Sequence, residues 1–259
     1  MKFPDPLIRG RLIKRYKRFL TDVELDDGSV VVAHCANSGS MESVKEPGSE
    51  VWLSPARNPD RKLKFTWELI RIGDTLVGIN TSLPNLIVSE AIEEGKVGEL
   101  TGYGSLRREV KYGKNSRIDI LLEDDAKPKC YVEVKNTTMR RDLDGGPAEF
   151  PDAVTTRGAK HLVELSDMVR DGHRAVMFYL VQREDAEVFS VADDIDPDYA
   201  KELAKAMKAG VEVVCYVCAL TPEEITVTHA LPVELKKSHH GYEKIAERLT
   251  YDEMLWIET

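Results

Sequence analysis

Two stretches, RAVMFYLVQ (residues 174–182) and VEVVCYVCALT (211–221), restrict the fold of this chain more than any other feature. Each is apolar at nearly every position, so neither face of the strand it forms can meet water. Strands of that kind lie inside a sheet covered on both sides. The covering helices are legible nearby. VTTRGAKHLVELSDMVRDG (154–172) repeats apolar residues at helical spacing through Leu162, Val163, Leu165, Met168 and Val169, and DPDYAKELAKAMKAG (196–210) reads as a second helix. Upstream, SLPNLIVSEAIEEGKV (82–97) is a third, with Ser82 as its expected cap, Pro84 in the first turn and Gly95 as its stop. A strand around RREVKYG (107–113) and the two strands of RIDILLEDDAKPKCYVEVKNTT (117–138) follow it. The order helix, three strands, helix, strand, helix, strand describes an α/β layer structure with a mixed central sheet.

The first 80 residues have a different texture. A long basic strand with a break or bulge (7–25), SVVVAHCAN (29–37), SEVWLSPA (49–56) and a hairpin over 62–80 turning at IGD predict a small closed barrel. An OB-type barrel fits that size, and strand count alone admits an SH3-like one. The expected division is therefore a barrel over 1–82, an α/β domain over 83–235 and a helical extension over 236–259. No run approaches 18 apolar residues, so no membrane span is expected. The opening residues carry no apolar signal core, which makes the cytoplasm the expected location. Cys215 and Cys218, three apart in a strand, point to opposite faces and read with Cys35 and Cys130 as buried thiols.

The net charge is -9, but it is unevenly placed. Lys2, Arg9, Arg11, Lys14, Arg15, Lys17 and Arg18 face a single acid, Asp5, within the first 20 residues. A basic strand on an acidic protein suits phosphate contact, and equally a solvated sheet edge that resists aggregation.

Three polar groups interrupt the 117–138 hairpin. Strict alternation puts Ile118, Ile120 and Leu122 on one face, with Asp119 on the other. It likewise sets Glu133 and Lys135 opposite Val132 and Val134. Antiparallel pairing would bring Asp119 beside Glu133, with Lys135 one step along. Two facing carboxylates repel unless a proton or cation lies between them, and hard divalent ions such as Mg2+ or Mn2+ use such oxygens. Lys135 is then placed to orient water or neutralise charge on a phosphodiester. Glu90, near the apolar side of its helix, is the expected third metal ligand.

This layout resembles the restriction-endonuclease-like nucleases with the PD-(D/E)xK signature, although Ile118 stands where the signature has proline. The resemblance implies metal binding by Asp119 and Glu133, a water-facing Lys135, and a helix glutamate at Glu90. HCANSGSM (34–41), GYGSLRREVKYGKNSRIDILL (102–122), YVEVKNTT (131–138) and FPDAVTTRGAKHLVEL (150–165) together resemble the sugar fermentation stimulation protein A family over nearly the whole chain. That family implies an OB-like domain joined to a nuclease-like domain, DNA binding, and an effect on sugar-utilisation genes.

Other residues then acquire candidate roles in nucleic-acid contact. They are Arg9, Arg11, Lys14, Arg15, Lys17 and Arg18 on the barrel, His34 and Asn37 in its polar loop, and Arg107, Arg108 and Lys111 before the hairpin. Arg157, Lys160 and His161 lie at a helix start that Thr155 or Thr156 can cap, with or without a phosphate. Tyr16, Phe19, Trp52 and Trp67 are candidates for base stacking, with at least half of them expected in the barrel core. The leading expectation is a metal-dependent nuclease on DNA, with RNA left open and a homodimer suited to duplex cleavage. The alternative is a non-catalytic DNA-binding regulator on a nuclease scaffold, and a protein-interaction module comes third.

Overall fold

The computed structural model describes residues 1–113, 116–236 and 242–245. Its first part is a closed barrel. Strands β1 (Ile8–Tyr16), β2 (Leu20–Leu25), β3 (Val30–His34), β4 (Glu50–Pro55) and β5 (Phe65–Ile72) run in the spatial order β3-β2-β1-β4-β5. Pairing of Ala33 and His34 with Phe65 and Thr66 closes the ring, and β6 (Thr75–Gly78) extends it as a hairpin from β5. The single long strand expected over 7–25 is two strands. Lys17 and Arg18 both adopt left-handed backbone (φ 49° and 63°) and reverse the chain without a glycine to announce the turn. A bulge does occur in β1, between Leu12 and Lys14.

The barrel interior holds Leu12, Val23, Ala33, Leu53, Trp67 and Ile70. Gly10 is required where β1 crosses β2, because a Cβ there would lie 2.6 Å from Val23 Cγ1 and 2.7 Å from the Glu24 carbonyl oxygen. Gly10→Ala is therefore expected to destabilise the protein by about 1–3 kcal/mol, the usual cost of overpacking, read as a lower denaturant midpoint at unchanged slope.

The second part is built from α1 (Pro84–Glu93), β7 (Ser105–Tyr112), β8 (Ser116–Asp124), β9 (Lys127–Thr137), β10 (Ala148–Phe150), α2 (Thr156–Arg170), β11 (Arg174–Val181), β12 (Phe189–Val191), α3 (Pro197–Lys208), β13 (Glu212–Leu220), β14 (Ile225–Ala230), β15 (Val233–Lys236) and β16 (Tyr242–Ile245). The main sheet has the order β14-β13-β11-β9-β8-β7, parallel at its centre and antiparallel at both margins. The β11 side chains alternate between two cores. Val176, Phe178 and Leu180 pack on the α1 side, while Met177, Tyr179 and Val181 pack under α2 and α3. Both faces are covered, as the apolar runs require. Cys218 and Cys215 fall in these two cores respectively, and all four cysteines are buried and free.

A small sheet, β10-β12-β15-β16, was not foreseen, because all four of its strands have only three or four residues. Within the expected helical extension, Tyr242–Ile245 instead pairs as a strand with Val233–Lys236; residues 237–241 and 246–259 lie outside the described ones. Ser82 does not cap α1. Leu83 occupies the cap position without a side-chain bond, and Asn80 Oδ1 takes the Ser82 amide and hydroxyl.

The two parts share a core, since Trp52 and Leu69 of the barrel pack with Ile87, Val88 and Ala91 of α1. They also share backbone pairing, Val77 with Arg183 and the Gly78 amide with the Gln182 carbonyl at 2.9 Å. Among the described residues no helix is long and apolar enough to cross a membrane.

Candidate active site

The sheet opens at one rung, and the site forms there. Arg108 pairs with Ile120 and Val110 with Ile118, yet the rung between them, Glu109 opposite Asp119, is missing from the ladder. Glu109 has a left-handed φ of 56°. Side-chain phase reverses at this level on both strands. Leu106, Ile120 and Leu122 pack on the α1 side, whereas Val110, Tyr112 and Ile118 pack beneath α2. The expectation that Ile118 shares a face with Ile120 and Leu122 is thereby corrected. The pairing of β8 with β9 reaches only to Ile120 and Val132, and beyond it Asp119 Oδ2 accepts the Val134 amide at 2.7 Å in place of a backbone carbonyl.

Asp119 therefore turns toward α1, where Asn85 Nδ2 donates to its Oδ1 at 2.9 Å. Glu133 turns toward α2. Its Oε1 accepts from Lys135 Nζ at 2.8 Å and is in short contact with His161 Nδ1, while its Oε2 is buried without a partner. Lys135 Nζ lies 3.3 Å from His161 Nδ1, and Arg157 Nε lies 3.3 Å from His161 Nε2. Asp119, Glu133, Lys135, Asn85, Arg157 and His161 all line one cleft of about 350 Å³.

The opposite wall belongs to the barrel. Asn37, Ser38 and Gly39 of its β3–β4 loop line the same cleft. That loop is pinned across the domain boundary, because Ser40 Oγ donates to the Asp152 carbonyl at 2.8 Å and the Met41 amide to Asp152 Oδ2 at 3.1 Å. Arg15 steadies it from below by donating to the Asn37 and Gly39 carbonyls at 2.9 and 3.0 Å.

The two carboxyls are pushed apart. Burial, and then the neighbouring Glu133 charge, raise Asp119 from 3.8 to about 6. Glu133 moves the other way. Burial is the largest single influence and works against its ionisation, but the His161 hydrogen bond and the Lys135 ammonium together hold it below the usual carboxylate range. One carboxyl is a fixed anion and the other titrates near neutrality, the division of labour that acid–base and metal chemistry use.

A divalent ion fits this donor set in a particular way. The orphaned Glu133 oxygen and the Asp119 carboxylate are hard oxygen donors in one cleft. Among the described residues no group of three or more His, Cys, Asp or Glu side chains is arranged to hold a metal by itself. The arrangement suits an ion held by two carboxylates that completes its shell with water and phosphate oxygens. Glu90 is not part of it. Its Oε2 pairs with the Met1 amino group at 2.8 Å on another part of α1, so its expected role as a ligand is corrected.

The remaining candidates scatter. Asn37 lines the cleft, and its side-chain amide donates to the Ile79 carbonyl (3.0 Å) and accepts the Gly39 N–H (2.9 Å), bonds that organise the loop. His34 is half-buried at the barrel seam. Arg9 pairs with Asp26, Lys14 with Asp22, and Arg11 donates to the Gly48 carbonyl; Lys17 and Arg18 are exposed at their turn. Arg107 pairs with Glu123, while Arg108 and Lys111 are exposed on the edge strand outside the cleft. Thr155 caps α2, accepting from the Gly158 amide at 3.0 Å. Lys160 turns away to Ser116 and Glu164. Trp52 and Trp67 are core residues, Tyr16 is half-buried against Asp22, and Phe19 is exposed. Sequence reasoning missed Asn85 and Glu109. A polar residue directly after Pro84 on a helix facing the sheet was the one available sign of Asn85, and periodicity gave none of Glu109.

The model of the sugar fermentation stimulation protein RE domain matches residues 82–224, and that of the SfsA N-terminal OB domain matches residues 13–79. The chain belongs to the sugar fermentation stimulation protein family. A homolog from Rhodospirillum rubrum is 63% identical over 242 residues, covering 90% of this chain and 99% of its own. One from Paramagnetospirillum magneticum is 60% identical over 235 residues, covering 91% and 98%. Among solved structures, Pyrococcus furiosus SfsA in complex with Ca2+ superposes with a TM-score of 0.80 at 27% identity, covering 90% of this chain and 98% of that one. The family's N-terminal OB domain and its RE domain are thus the two parts of this fold.

Proposed function

We propose that this family member is a divalent-metal-dependent phosphodiesterase that acts on DNA. The observation that carries the reading is the Glu133 Oε2 atom, buried without a partner beside Asp119 and Lys135 in a cleft open to solvent. A buried charged oxygen left unpaired is costly, and a cation would repay that cost. Asp119 and Glu133 would hold Mg2+ or Mn2+, which when bound supplies Lewis acidity and a water of lowered pKa. The Ca2+ held by the Pyrococcus furiosus relative supports a divalent ion here.

The protein's own groups supply the rest. Glu133 and His161 fix the Lys135 ammonium in the cleft, where it can neutralise charge on a phosphate. Arg157 adds a second cation at the same end. The exposed Arg11, Lys14, Lys17 and Arg18 give the strand of nucleic acid a path over the barrel. Two copies of the site would serve to cut both strands of a duplex, and we place the role in the cytoplasm, with the cell's own DNA. The relatives carry the name sugar fermentation stimulation protein, and we propose sugar-metabolism genes as the setting. A non-catalytic regulator is the second reading, favoured by the same basic strand.

The test is incubation with labelled single-stranded, duplex, flap and junction DNA and matched RNA, with Mn2+, Mg2+ or EDTA. Metal-dependent cleavage is expected, and Glu133→Gln should reduce it at least about a hundredfold. Binding without cleavage on every substrate would favour the regulator. A protein that neither binds nor cleaves any of these substrates would sink both readings.

A further inference from the structure

The structure assigns a role to Glu109, which no motif singled out: it is a positioning residue that sets the Asp119 carboxylate through the Asn85 amide. The inference rests on the proposed cation site and deepens it.

Asn85 Nδ2 donates to two carboxylates at once, Glu109 Oε1 at 2.7 Å and Asp119 Oδ1 at 2.9 Å. An amide nitrogen carries two protons, and here each has its own acceptor. This fixes which end of the amide faces Asp119, since the amide oxygen would be repelled by both anions. Asp119 itself is held at its other oxygen by the Val134 amide. Its carboxylate plane is therefore defined from both sides, one of them through Glu109.

The backbone supports the assignment. Glu109 is a non-glycine residue at φ 56° in the middle of a strand. Such a conformation persists only where the surroundings impose it, and it collects at functional sites. The missing rung of the β7–β8 ladder is the one that sets Glu109 against Asp119, and there the side-chain phase of both strands reverses. A glycine would hold that backbone more easily, and the chain has placed a carboxylate there instead. The side chain is exposed, so burial does not explain the choice.

Glu109→Gly separates the two roles, because it keeps the left-handed backbone and deletes only the carboxylate. Mn2+ is the probe, titrated into the whole protein while free ion is followed by electron paramagnetic resonance, alongside thermal unfolding without metal. The expected result is a Mn2+ affinity lowered about tenfold with a thermal midpoint that holds or rises. Glu109→Gln, which retains an acceptor for Asn85, should recover most of the affinity. Unchanged affinity in Glu109→Gly, or a loss accompanied by a fallen midpoint, would overturn the assignment. Asp119→Asn distinguishes the underlying reading: if the wild type binds no Mn2+, or Asp119→Asn binds it as well as the wild type, the cation site itself is refuted and the role of Glu109 falls with it.

Discussion

Arg183→Ala should lower the stability of the folded protein by about 3–5 kcal/mol, the combined cost of a cavity, an unpaired carbonyl and a lost ion pair whose acid, Asp185, is partly exposed. Arg183 is wholly buried at the end of β11. Its Nε and Nη2 donate to the two oxygens of Asp185 at 2.6 and 2.7 Å, and Nη1 donates to the Thr138 carbonyl at 2.8 Å. Its backbone pairs with Val77 of the barrel. One side chain thus ties the ends of two central strands at the point where the barrel meets them. Alanine would leave the Thr138 carbonyl unpaired, Asp185 with Arg140 as its remaining guanidinium, and a void. Against a typical total of about 5–15 kcal/mol this is a large fraction. Urea unfolding of both proteins measures it. The pH dependence adds a check. Burial opposes ionisation of Asp185, but the hydrogen bonds and charges of Arg183 and Arg140 outweigh it and lower its pKa. A carboxyl lowered on folding contributes stability above its unfolded pKa and loses it on acidification through its folded one. The difference between wild type and variant should accordingly narrow below about pH 4.

Asp119→Asn is expected to abolish metal-dependent cleavage and at the same time to stabilise the metal-free protein at neutral pH. Asp119 titrates near 6 in the fold against 3.8 as an ordinary carboxyl, raised by burial and by Glu133. A carboxyl raised on folding costs nothing below its unfolded value. Its cost grows as pH rises toward the folded one and levels off above it, reaching about 2–3 kcal/mol for a shift of roughly two units. Asparagine removes the charge and its oxygen can still accept the Val134 amide, but its own N–H group then faces Asn85 Nδ2, which takes back part of the gain. The variant should therefore be more stable by about 1 kcal/mol at about pH 8, and no more stable than the wild type near pH 4. Unfolding curves in EDTA at the two pH values decide it. A variant destabilised at both would show that Asp119 serves the fold before it serves a cation.

The covered sheet was legible because strands apolar on both faces admit few neighbours, and β11 and β13 are such strands. The barrel was legible from strand spacing, and alternation with antiparallel pairing set Asp119, Glu133 and Lys135 near one another; all three line one cleft. What escaped depends on contacts between residues distant in sequence. Alternation assumes an unbroken ladder, so it could not register the reversal at Glu109 and Asp119. Helical spacing put Glu90 near the sheet but could not show that Asn85, five residues earlier, is the one that meets Asp119. The Lys17–Arg18 turn was hidden because two long basic residues take a conformation that glycine usually signals.

The pinning of the Ser40–Met41 backbone to Asp152 has a consequence for how such a protein can change. Gly39 is held so close that a Cβ would lie 2.6 Å from Asp152 Oδ2. The barrel therefore does not behave as a detachable reader carried on an independent cutter. A graft that exchanged barrels between relatives would have to bring the loop and its aspartate together, although they lie more than a hundred positions apart. Modularity, in this architecture, belongs to the pair and not to either half.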